Sequence, residues 1–275
     1  GKPYLVFTTA ASINGYLSAN ASISVDGYKK TLAAHMPKAV FCDLSVIAAA
    51  PARLNKSGLG DSLARPTAQA DWLLSHILLG TPYDETPFTL LPPLEPQLLE
   101  QARGIATGDL PSLELLMQTL LLSGLGMTIA GGSYPASQGE HMIAHAYEML
   151  DHAAPETFHG EQIGVTALVM ANRQEKLLRH PPRLTLPPFP KEKMQALFGP
   201  KVAAEAEKAY AVKYEKMRQA DPGARRRELW EMVRERLAPV MLSPQKIRAV
   251  LEAADAPQKP ETLGWSPVLF SQAAK

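Results

Sequence analysis

The residue pattern of the chain changes character near residue 45. Before that point, residues 3–9, 21–25 and 38–41 form short runs rich in β-branched and aromatic side chains, which is the pattern of strands. After it, apolar residues recur at helical spacing among Ala, Leu, Glu and Lys. The sequence therefore predicts a mainly α protein, with a small α/β piece at residues 1–45, a helical body at 46–275, and strands confined to the first piece.

Glycine and proline clusters divide the helical body into separate predicted helices. These cover residues 45–50, 61–79, 96–107, 110–124, 139–150, 161–178, 191–198, 202–220, 224–237 and 243–254. Asp221 and Ser243 are predicted N-caps, because their side-chain oxygens can accept hydrogen bonds from the first free N–H groups of a helix. Residues 180–190 contain five prolines and are predicted to be an extended linker, and residues 255–275 are predicted to be loosely structured.

Composition limits the classes of protein that this chain can represent. The 28 Lys and Arg against 27 Asp and Glu give a net charge of +1, so the sequence predicts no nucleic-acid partner. A single cysteine, Cys42, rules out a disulfide within the chain, and it follows an apolar run that predicts burial. The longest apolar runs, such as residues 115–122, are too short to cross a bilayer, and no signal peptide is visible. We expect a cytoplasmic protein without a membrane span.

One loop-to-helix segment concentrates the residues that could carry chemistry. A Gly/Ser/Pro loop at residues 131–138 passes into a predicted helix with His141 and His145, which lie four residues apart and therefore on one face. A third histidine, His159, stands in a small-residue segment, and Asp61 follows two glycines at a predicted helix start. Asp with two or three His is the ligand set of an open metal site with N and O donors.

Each of these residues also has a structural interpretation. Asp61 would be a helix N-cap, and any of the histidines would be a hydrogen-bonded core residue. Glu140, beside His141, would either support the metal ligands or simply be solvated. The metal-site interpretation depends on four residues arriving in three Gly-flanked motifs. The remaining histidines are interpreted as surface or structural residues: His35, His76, His152 and His180.

Two further segments have a weaker chemical signal. Thr8 and Thr9 end the first predicted strand, where open α/β sheets bind nucleotides, but taken alone they are better explained as a strand-ending turn. The chain contains neither GxGxxG nor GxxxxGK[ST]. Lys29 and Lys30 are interpreted as solvated rather than as a phosphate clamp.

Five segments, taken together and in order, resemble the sn-glycerol-1-phosphate dehydrogenase family. They are Thr8-Thr-Ala-Ala-Ser-Ile-Asn-Gly-Tyr-Leu-Ser18, Ala50-Pro-Ala-Arg-Leu-Asn-Lys-Ser-Gly-Leu-Gly-Asp-Ser-Leu-Ala-Arg65, Ala70-Asp-Trp72, Ser137-Gln-Gly-Glu-His141 with His145, and His159-Gly-Glu-Gln-Ile-Gly164. That family belongs to the superfamily of iron-containing alcohol dehydrogenases, glycerol dehydrogenase and 3-dehydroquinate synthase. The resemblance covers roughly residues 3–170, and beyond them only the helical character is similar.

The resemblance implies a two-part fold with the active site in the cleft between the parts. Residues 1–45 would be the remnant of a Rossmann-like dinucleotide-binding domain, and residues 46–275 would form a helical domain like that of dehydroquinate synthase. The family's Gly-Gly-Gly-x-x-x-Asp-x-x-Lys pyrophosphate motif would have to precede Gly1. The chain is therefore expected to be a fragment that binds NAD(P) poorly by itself.

The resemblance also implies a role for each candidate residue. Asp61, His141 and His159 would hold a divalent metal, zinc or nickel, and His145 would contact the substrate or relay a proton. Catalysis would use His145 and Asp61, and substrate binding would add Asn14, which stands where the family usually has an aspartate. The residues that would lie along NAD(P) are Thr8, Thr9 and Ser18.

The activity implied in this way is a metal-dependent NAD(P) oxidoreductase. Its small-molecule substrates would be sn-glycerol-1-phosphate and dihydroxyacetone phosphate, or a close polyol relative. A lyase of the dehydroquinate-synthase kind and a non-catalytic helical metal-binding or interaction module stay open as alternatives. Assembly into a homo-oligomer also stays open.

Overall fold

A computed structural model describes residues 2–180, 185–220 and 226–275 of the chain. Four strands precede residue 45, and the rest of the described chain is helical or irregular. The strands are β1 Leu5–Thr8, β2 Asn20–Val25, β3 Tyr28–Ala33 and β4 Ala39–Cys42. The prediction of a mainly α fold, with a small strand-containing piece at its start, is confirmed. The division into domains at residue 45 stays a prediction.

The four strands form two separate two-stranded sheets. β1 and β4 pair in parallel, with Leu5 opposite Ala39 at one end, and β2 and β3 pair as an antiparallel hairpin. Strand β3 is absent from the sequence prediction. It forms because Asp26 and Gly27 both adopt positive φ, 55° and 81°, which is the backbone of a turn that suits the twist of a two-residue hairpin. The predicted burial of Cys42 is wrong, since its side chain is half-buried.

The helices follow in sequence and enclose the core. They are α1 Leu44–Ala49, α2 Ala52–Ser62, α3 Ala64–Leu79, α4 Glu95–Glu100, α5 Ala102–Thr107, α6 Leu110–Ile129, α7 Gly139–Leu150, α8 His159–Arg179, α9 Lys191–Ala220, α10 Arg226–Leu237, α11 Pro244–Ala253 and α12 Pro267–Ala273. Short 3₁₀ turns lie at Thr86–Leu90, Ala238–Val240 and Pro260–Leu263. The Ser243 hydroxyl accepts the Lys246 N–H as predicted for an N-cap. The other predicted cap, Asp221, and residues 181–184 of the predicted linker lie outside the described residues.

Asp61 does not begin a helix, contrary to the sequence prediction. It lies in the last turn of α2, which the sequence analysis did not predict, and α3 begins three residues later at Ala64. The glycines before Asp61 suggested a loop because glycine lowers helix propensity. In the structure they serve packing instead, because a Cβ on Gly60 would lie 2.1 Å from the Gly160 carbonyl oxygen. His159, which lies two residues before the predicted helix at 161–178, is the first residue of α8.

The segment after residue 255 is ordered, so the prediction of loose structure there is wrong. It forms the 3₁₀ turn at Pro260–Leu263 and then α12. Trp265 is 3% exposed and stacks on Tyr147 of α7, with ring centroids 4.2 Å apart. The segment packs through a few scattered residues, Leu263, Trp265, Leu269 and Phe270, which do not form a regular apolar pattern in the sequence.

Helix α6 runs through the main apolar core. Its buried residues include Leu113, Leu116 and Leu120, all with no exposed surface, and they pack with Leu59 of α2 and Ile247 of α11. Among the described residues, α6 is the one helix with the length and apolar composition to cross a membrane. Just over half of that stretch, 56%, is buried inside the protein, which fits a core helix.

Candidate metal centre

Asp61, His141 and His159 come together although they are distant in sequence. One ligand atom from each residue lies within 4.8 Å of the others. Asp61 Oδ1 is 3.7 Å from His141 Nε2 and 3.9 Å from His159 Nε2. The three side chains come from different helices, namely α2, α7 and α8. The structure therefore gathers the three predicted metal ligands around one small volume.

The two carboxylate oxygens of Asp61 have different environments. Oδ2 accepts a hydrogen bond from the Asn14 N–H at 2.8 Å. Oδ1 is buried and has no hydrogen-bond partner in the protein. A buried carboxylate oxygen without a partner is costly, and a cation placed between it and the two imidazoles would remove that cost. The N and O donor set thus fits a divalent metal of the kind held by His and Asp.

Glu140 lies directly behind His141 and is fully buried. Its Oε1 is 3.0 Å from His141 Nδ1 and accepts the Gln138 N–H at 2.7 Å, while its Oε2 accepts the Thr67 hydroxyl at 2.9 Å. These contacts hold the His141 ring by one nitrogen, so that the other nitrogen faces Asp61. The solvated interpretation of Glu140 is therefore wrong.

Burial dominates the ionisation of this pair. It raises the pKa of Glu140 to about 7. Burial, followed by the charge of His159, lowers the pKa of His141 to about 3, although Asp61 acts in the opposite direction. Neutral imidazole is the form that binds a metal ion, so His141 is held ready for a cation at neutral pH.

Close backbone contact between α2 and α8 sets the separation of Asp61 and His159. The Gly160 N–H donates to the Ser57 hydroxyl at 3.1 Å, and a Cβ on Gly160 would lie 1.8 Å from the Ser57 carbonyl oxygen. Arg53 of α2 also forms a two-bond ion pair with buried Glu161, with N–O distances of 2.6 and 2.9 Å. The start of α8 is thereby fixed against the end of α2.

His145 follows His141 by one turn and opens into the same cavity. Its ring centroid is 6.0 Å from that of His141 and 6.1 Å from that of His159. Burial, followed by the two neighbouring histidines, lowers the pKa of His145 to about 3. His145 is not one of the three described residues whose ligand atoms are close enough to share one ion. The cavity has a volume of about 630 Å³, and Asn14 also lines it.

The three residues predicted to lie along NAD(P) have different surroundings. Ser18 is buried, lines the cavity and accepts the Asn20 N–H at 3.1 Å. Thr8 is buried and donates its hydroxyl to the Phe41 carbonyl oxygen at 3.3 Å, and Thr9 is exposed. Neither threonine is among the described residues that line the cavity. Of these three residues, the structure therefore places only Ser18 at the cavity that contains the candidate metal ligands.

The sequence analysis missed an ion pair at the edge of the cavity. Lys29 Nζ is 3.2 Å from Glu148 Oε2, and both residues line the cavity. Lys30 is also paired, with Glu205 at 2.8 Å, and both lysines stay partly exposed, with 23% of the Lys29 side chain and 33% of the Lys30 side chain accessible. The spacing of Glu148 could have identified it as a cavity residue. It follows His145 by three residues and therefore shares a face of α7 with it.

Comparison with known proteins shows which enzymes this chain is similar to. Residues 1–51 match the family model for iron-containing alcohol dehydrogenase. The glycerol-1-phosphate dehydrogenase [NAD(P)+] of Bacillus velezensis is 35% identical over 200 residues, which are 72% of this chain and 51% of that protein. The enzyme of the same name from Geobacillus thermodenitrificans is 28% identical over 281 residues, or 99% of this chain and 61% of that protein. The chain thus spans about half to three fifths of these curated relatives.

A solved structure shows the same fold at low sequence identity. An archaeal halo-thermophilic alcohol dehydrogenase from a Red Sea brine pool matches 99% of this chain and 57% of its own, with a TM-score of 0.55 and 16% identity. This chain therefore belongs to the iron-containing alcohol dehydrogenase superfamily and is related within it to the glycerol-1-phosphate dehydrogenases.

Proposed function

We propose that this chain carries the metal- and substrate-binding part of a cytoplasmic dehydrogenase that interconverts sn-glycerol-1-phosphate and dihydroxyacetone phosphate with NAD(P). The observation that carries the proposal is the buried, unpartnered Oδ1 of Asp61 beside two imidazole nitrogens. The names of the relatives support the substrate and the cofactor. Zinc or nickel is the proposed metal.

Asp61, His141 and His159 would hold that metal. Held there, the divalent cation would supply a Lewis acid for the oxygen of an alcohol or ketone. The chain supplies the geometry for this, because α2 and α8 are fixed together and Glu140 holds the ring of His141. The site is also partly closed to water, since the side chain of Asp61 is 1% exposed and that of His141 is 8% exposed.

His145 is the proposed contact to the substrate oxygen. Its low pKa keeps the imidazole neutral near pH 7, and a neutral imidazole has one donor and one acceptor nitrogen. It can therefore accept a hydrogen bond from the alcohol or donate one to the ketone. Asn14 lies beside Asp61 in the same cavity, and its amide would orient a substrate hydroxyl without adding a charge.

NAD(P) would supply the hydride chemistry when bound. Of the three residues proposed to contact NAD(P), Ser18 lines the cavity, whereas Thr8 and Thr9 are proposed on the resemblance alone. A dehydroquinate-synthase-like lyase is less well supported. Such an enzyme would use more basic residues for phosphate, and the described lining of this cavity contains one lysine and no arginine.

Two histidine variants test the proposal. The His141→Ala protein should lose its zinc or nickel, whereas the His145→Ala protein should keep a metal content near that of the unaltered protein. On the protein as its gene encodes it, His145→Ala should lower kcat/KM for dihydroxyacetone-phosphate-dependent NAD(P)H oxidation by about 100-fold or more, the usual scale for a lost acid–base group. Metal analysis and this assay give the two readouts.

Several results would contradict these assignments. If His145→Ala removes the metal and His141→Ala does not, the two histidines have been assigned the wrong way round. If His145→Ala changes neither readout, His145 is structural. Metal binding without any dehydrogenase activity would favour the non-catalytic metal-binding alternative.

A further inference from the structure

One polar face of the β2–β3 hairpin lines the cavity of the metal centre. In a strand, alternate side chains point to the same side. Asn20 and Ser22 of β2, and Lys29 and Thr31 of β3, all line the cavity. Ser22 is paired directly with Thr31 in the hairpin register, and Asn20 and Lys29 each lie two residues along their strand from this pair, on the same side of the hairpin. These four residues are called the polar hairpin face below.

Helix α7 presents a matching row of side chains to that cavity. His141, His145 and Glu148 are spaced four and three residues apart, so they share a face of the helix. The rise of an α-helix places Glu148 about 10 Å further along the axis than His141. The row therefore runs from the metal ligands to the Lys29–Glu148 ion pair at the hairpin.

Glu148 holds Lys29 in a defined position. Its Oε2 is 3.2 Å from Lys29 Nζ, and its Oε1 accepts a hydrogen bond from Gln162 Nε2 at 3.2 Å. Gln162 is itself bonded to the Thr157 hydroxyl at 3.0 Å, and Thr157 also lines the cavity. An ammonium group has three donors, and the bond to Glu148 uses one of them. The side chain of Lys29 is 23% exposed, so it is accessible to a ligand in the cavity.

We propose that Lys29, supported by Glu148 and the hydroxyls of the polar hairpin face, binds the phosphate group of the substrate. This inference rests on the proposed function, which supplies a polyol phosphate as the ligand. A phosphate monoester carries about 1.5 to 2 negative charges at pH 7 and three strong acceptor oxygens. Among the described residues that line the cavity, Lys29 is the one lysine, and no arginine lines it. The reacting carbon would then lie toward the metal ligands and the phosphate toward the hairpin.

The neighbouring Lys30 provides a matched control. It also ties the hairpin to a helix, with Nζ 2.8 Å from Glu205 Oε2 of α9, but it is not among the described residues that line the cavity. If both lysine ion pairs merely anchor the hairpin, loss of Lys29 and loss of Lys30 should have the same effect on ligand binding. If Lys29 binds phosphate, the two variants should differ.

The experiment measures binding of sn-glycerol-1-phosphate and of phosphate-free glycerol to the metal-loaded protein by calorimetry. Lys29→Met should weaken binding of sn-glycerol-1-phosphate by roughly 10- to 100-fold, the scale of one lost charge-assisted hydrogen bond, while glycerol binding and metal content stay unchanged. Lys29→Arg should retain most of the affinity because it keeps the charge. Lys30→Met should match the unaltered protein with both ligands.

The outcomes separate this inference from the proposed function. If the unaltered metal-loaded protein fails to bind sn-glycerol-1-phosphate, the proposed function fails. If it binds that ligand and Lys29→Met binds it equally well, the assignment of Lys29 is overturned while the function stands. Equal weakening of both ligands by Lys29→Met would show that Lys29 only holds the hairpin and would likewise overturn the assignment.

Discussion

At the scale of single residues, Glu140 is the most buried of the acidic side chains described around the candidate metal centre. It has no exposed surface, and its two oxygens contact Gln138, Thr67 and His141. A buried carboxyl is kept in a protein only where its hydrogen bonds offset the cost of desolvation. Here one of those bonds joins the carboxyl to His141, a proposed metal ligand, and a carboxylate is a usual partner for the second nitrogen of a ligating histidine.

We predict that Glu140→Gln weakens zinc or nickel binding by roughly 10- to 100-fold, the range found when the hydrogen-bond partner of a ligating histidine is lost. Glutamine has nearly the same volume, but it has one acceptor oxygen instead of two, so it cannot serve all three neighbours. Metal affinity would be measured by competition with a chelator. Glu114→Gln on the exposed face of α6 is the control and should bind the metal normally.

The melting temperature of the metal-free Glu140→Gln protein shows whether the substitution also destabilises the fold. A large loss of metal affinity with a melting temperature close to that of the unaltered protein is the expected result. Unchanged metal affinity in Glu140→Gln would mean that Glu140 stabilises the helix start only, without orienting His141.

At the scale of elements, the site depends on how closely α2 approaches α8. The Cα of Gly60 lies 3.4 Å from the position of a Cβ on Gly164, and Gly160 contacts the backbone of Ser57. Glycines at these points remove the side chains that would hold the two helices apart. Because Asp61 and His159 each lie next to one of these glycines, a change in the helix separation would also change the separation of these two candidate ligands.

We predict that Gly160→Ala weakens metal binding and lowers the free energy of unfolding by about 1–3 kcal/mol, the usual cost of overpacking a core. The added methyl would lie 1.8 Å from a backbone oxygen, which cannot rotate away, so α8 must move and carry His159 with it. Chemical denaturation and metal titration measure the two effects.

Gly164→Ala in the same helix is the matched control. Its added methyl would lie 3.2 Å from Leu251 Cδ2, the end of a flexible side chain that can adjust, and 3.4 Å from the Gly60 Cα, an ordinary van der Waals distance. It should therefore cost less than Gly160→Ala in both measurements. Equal effects of the two variants would contradict the link between the Gly160 contact and the metal site.

At the scale of the whole molecule, the end of the chain returns to the helix that carries His141 and His145. Trp265 stacks on Tyr147, and the Ser266 N–H donates to the Tyr147 hydroxyl at 2.7 Å. Tyr147 is fully buried, and its hydroxyl donates in turn to Asp151 Oδ2 at 2.8 Å. Residues more than a hundred positions apart thus fix the second half of α7.

We predict that Trp265→Ala lowers the free energy of unfolding by about 3–5 kcal/mol, the usual cost of truncating a buried tryptophan or phenylalanine. Val268→Ala, at a side chain that is 67% exposed, should change it by less than about 0.5 kcal/mol. Urea denaturation of both variants measures the difference. A small effect of Trp265→Ala would mean that the last segment is not part of the cooperative core.

The sequence by itself determined the broad architecture and the identity of the candidate ligands. Local patterns contain that information, because helical periodicity in the body and β-branched runs near residues 5 and 40 are short-range signals. The bounds of α7 follow in the same way, from the Gly/Ser/Pro loop before it to the end of its apolar face. The pairing of His141 with His145 on one face also follows from spacing alone.

Only the tertiary structure decided which neighbours those residues have. The role of Gly60, next to Asp61, depends on a second helix about a hundred residues later, and Trp265 is buried against Tyr147. In the same way, the sequence could not distinguish a solvated Lys29 from one that lines a cavity, nor a solvated Glu140 from one that holds His141. Spacing along one helix gives a direction for a side chain, whereas its partner, its burial and its pKa come from elements brought beside it by packing.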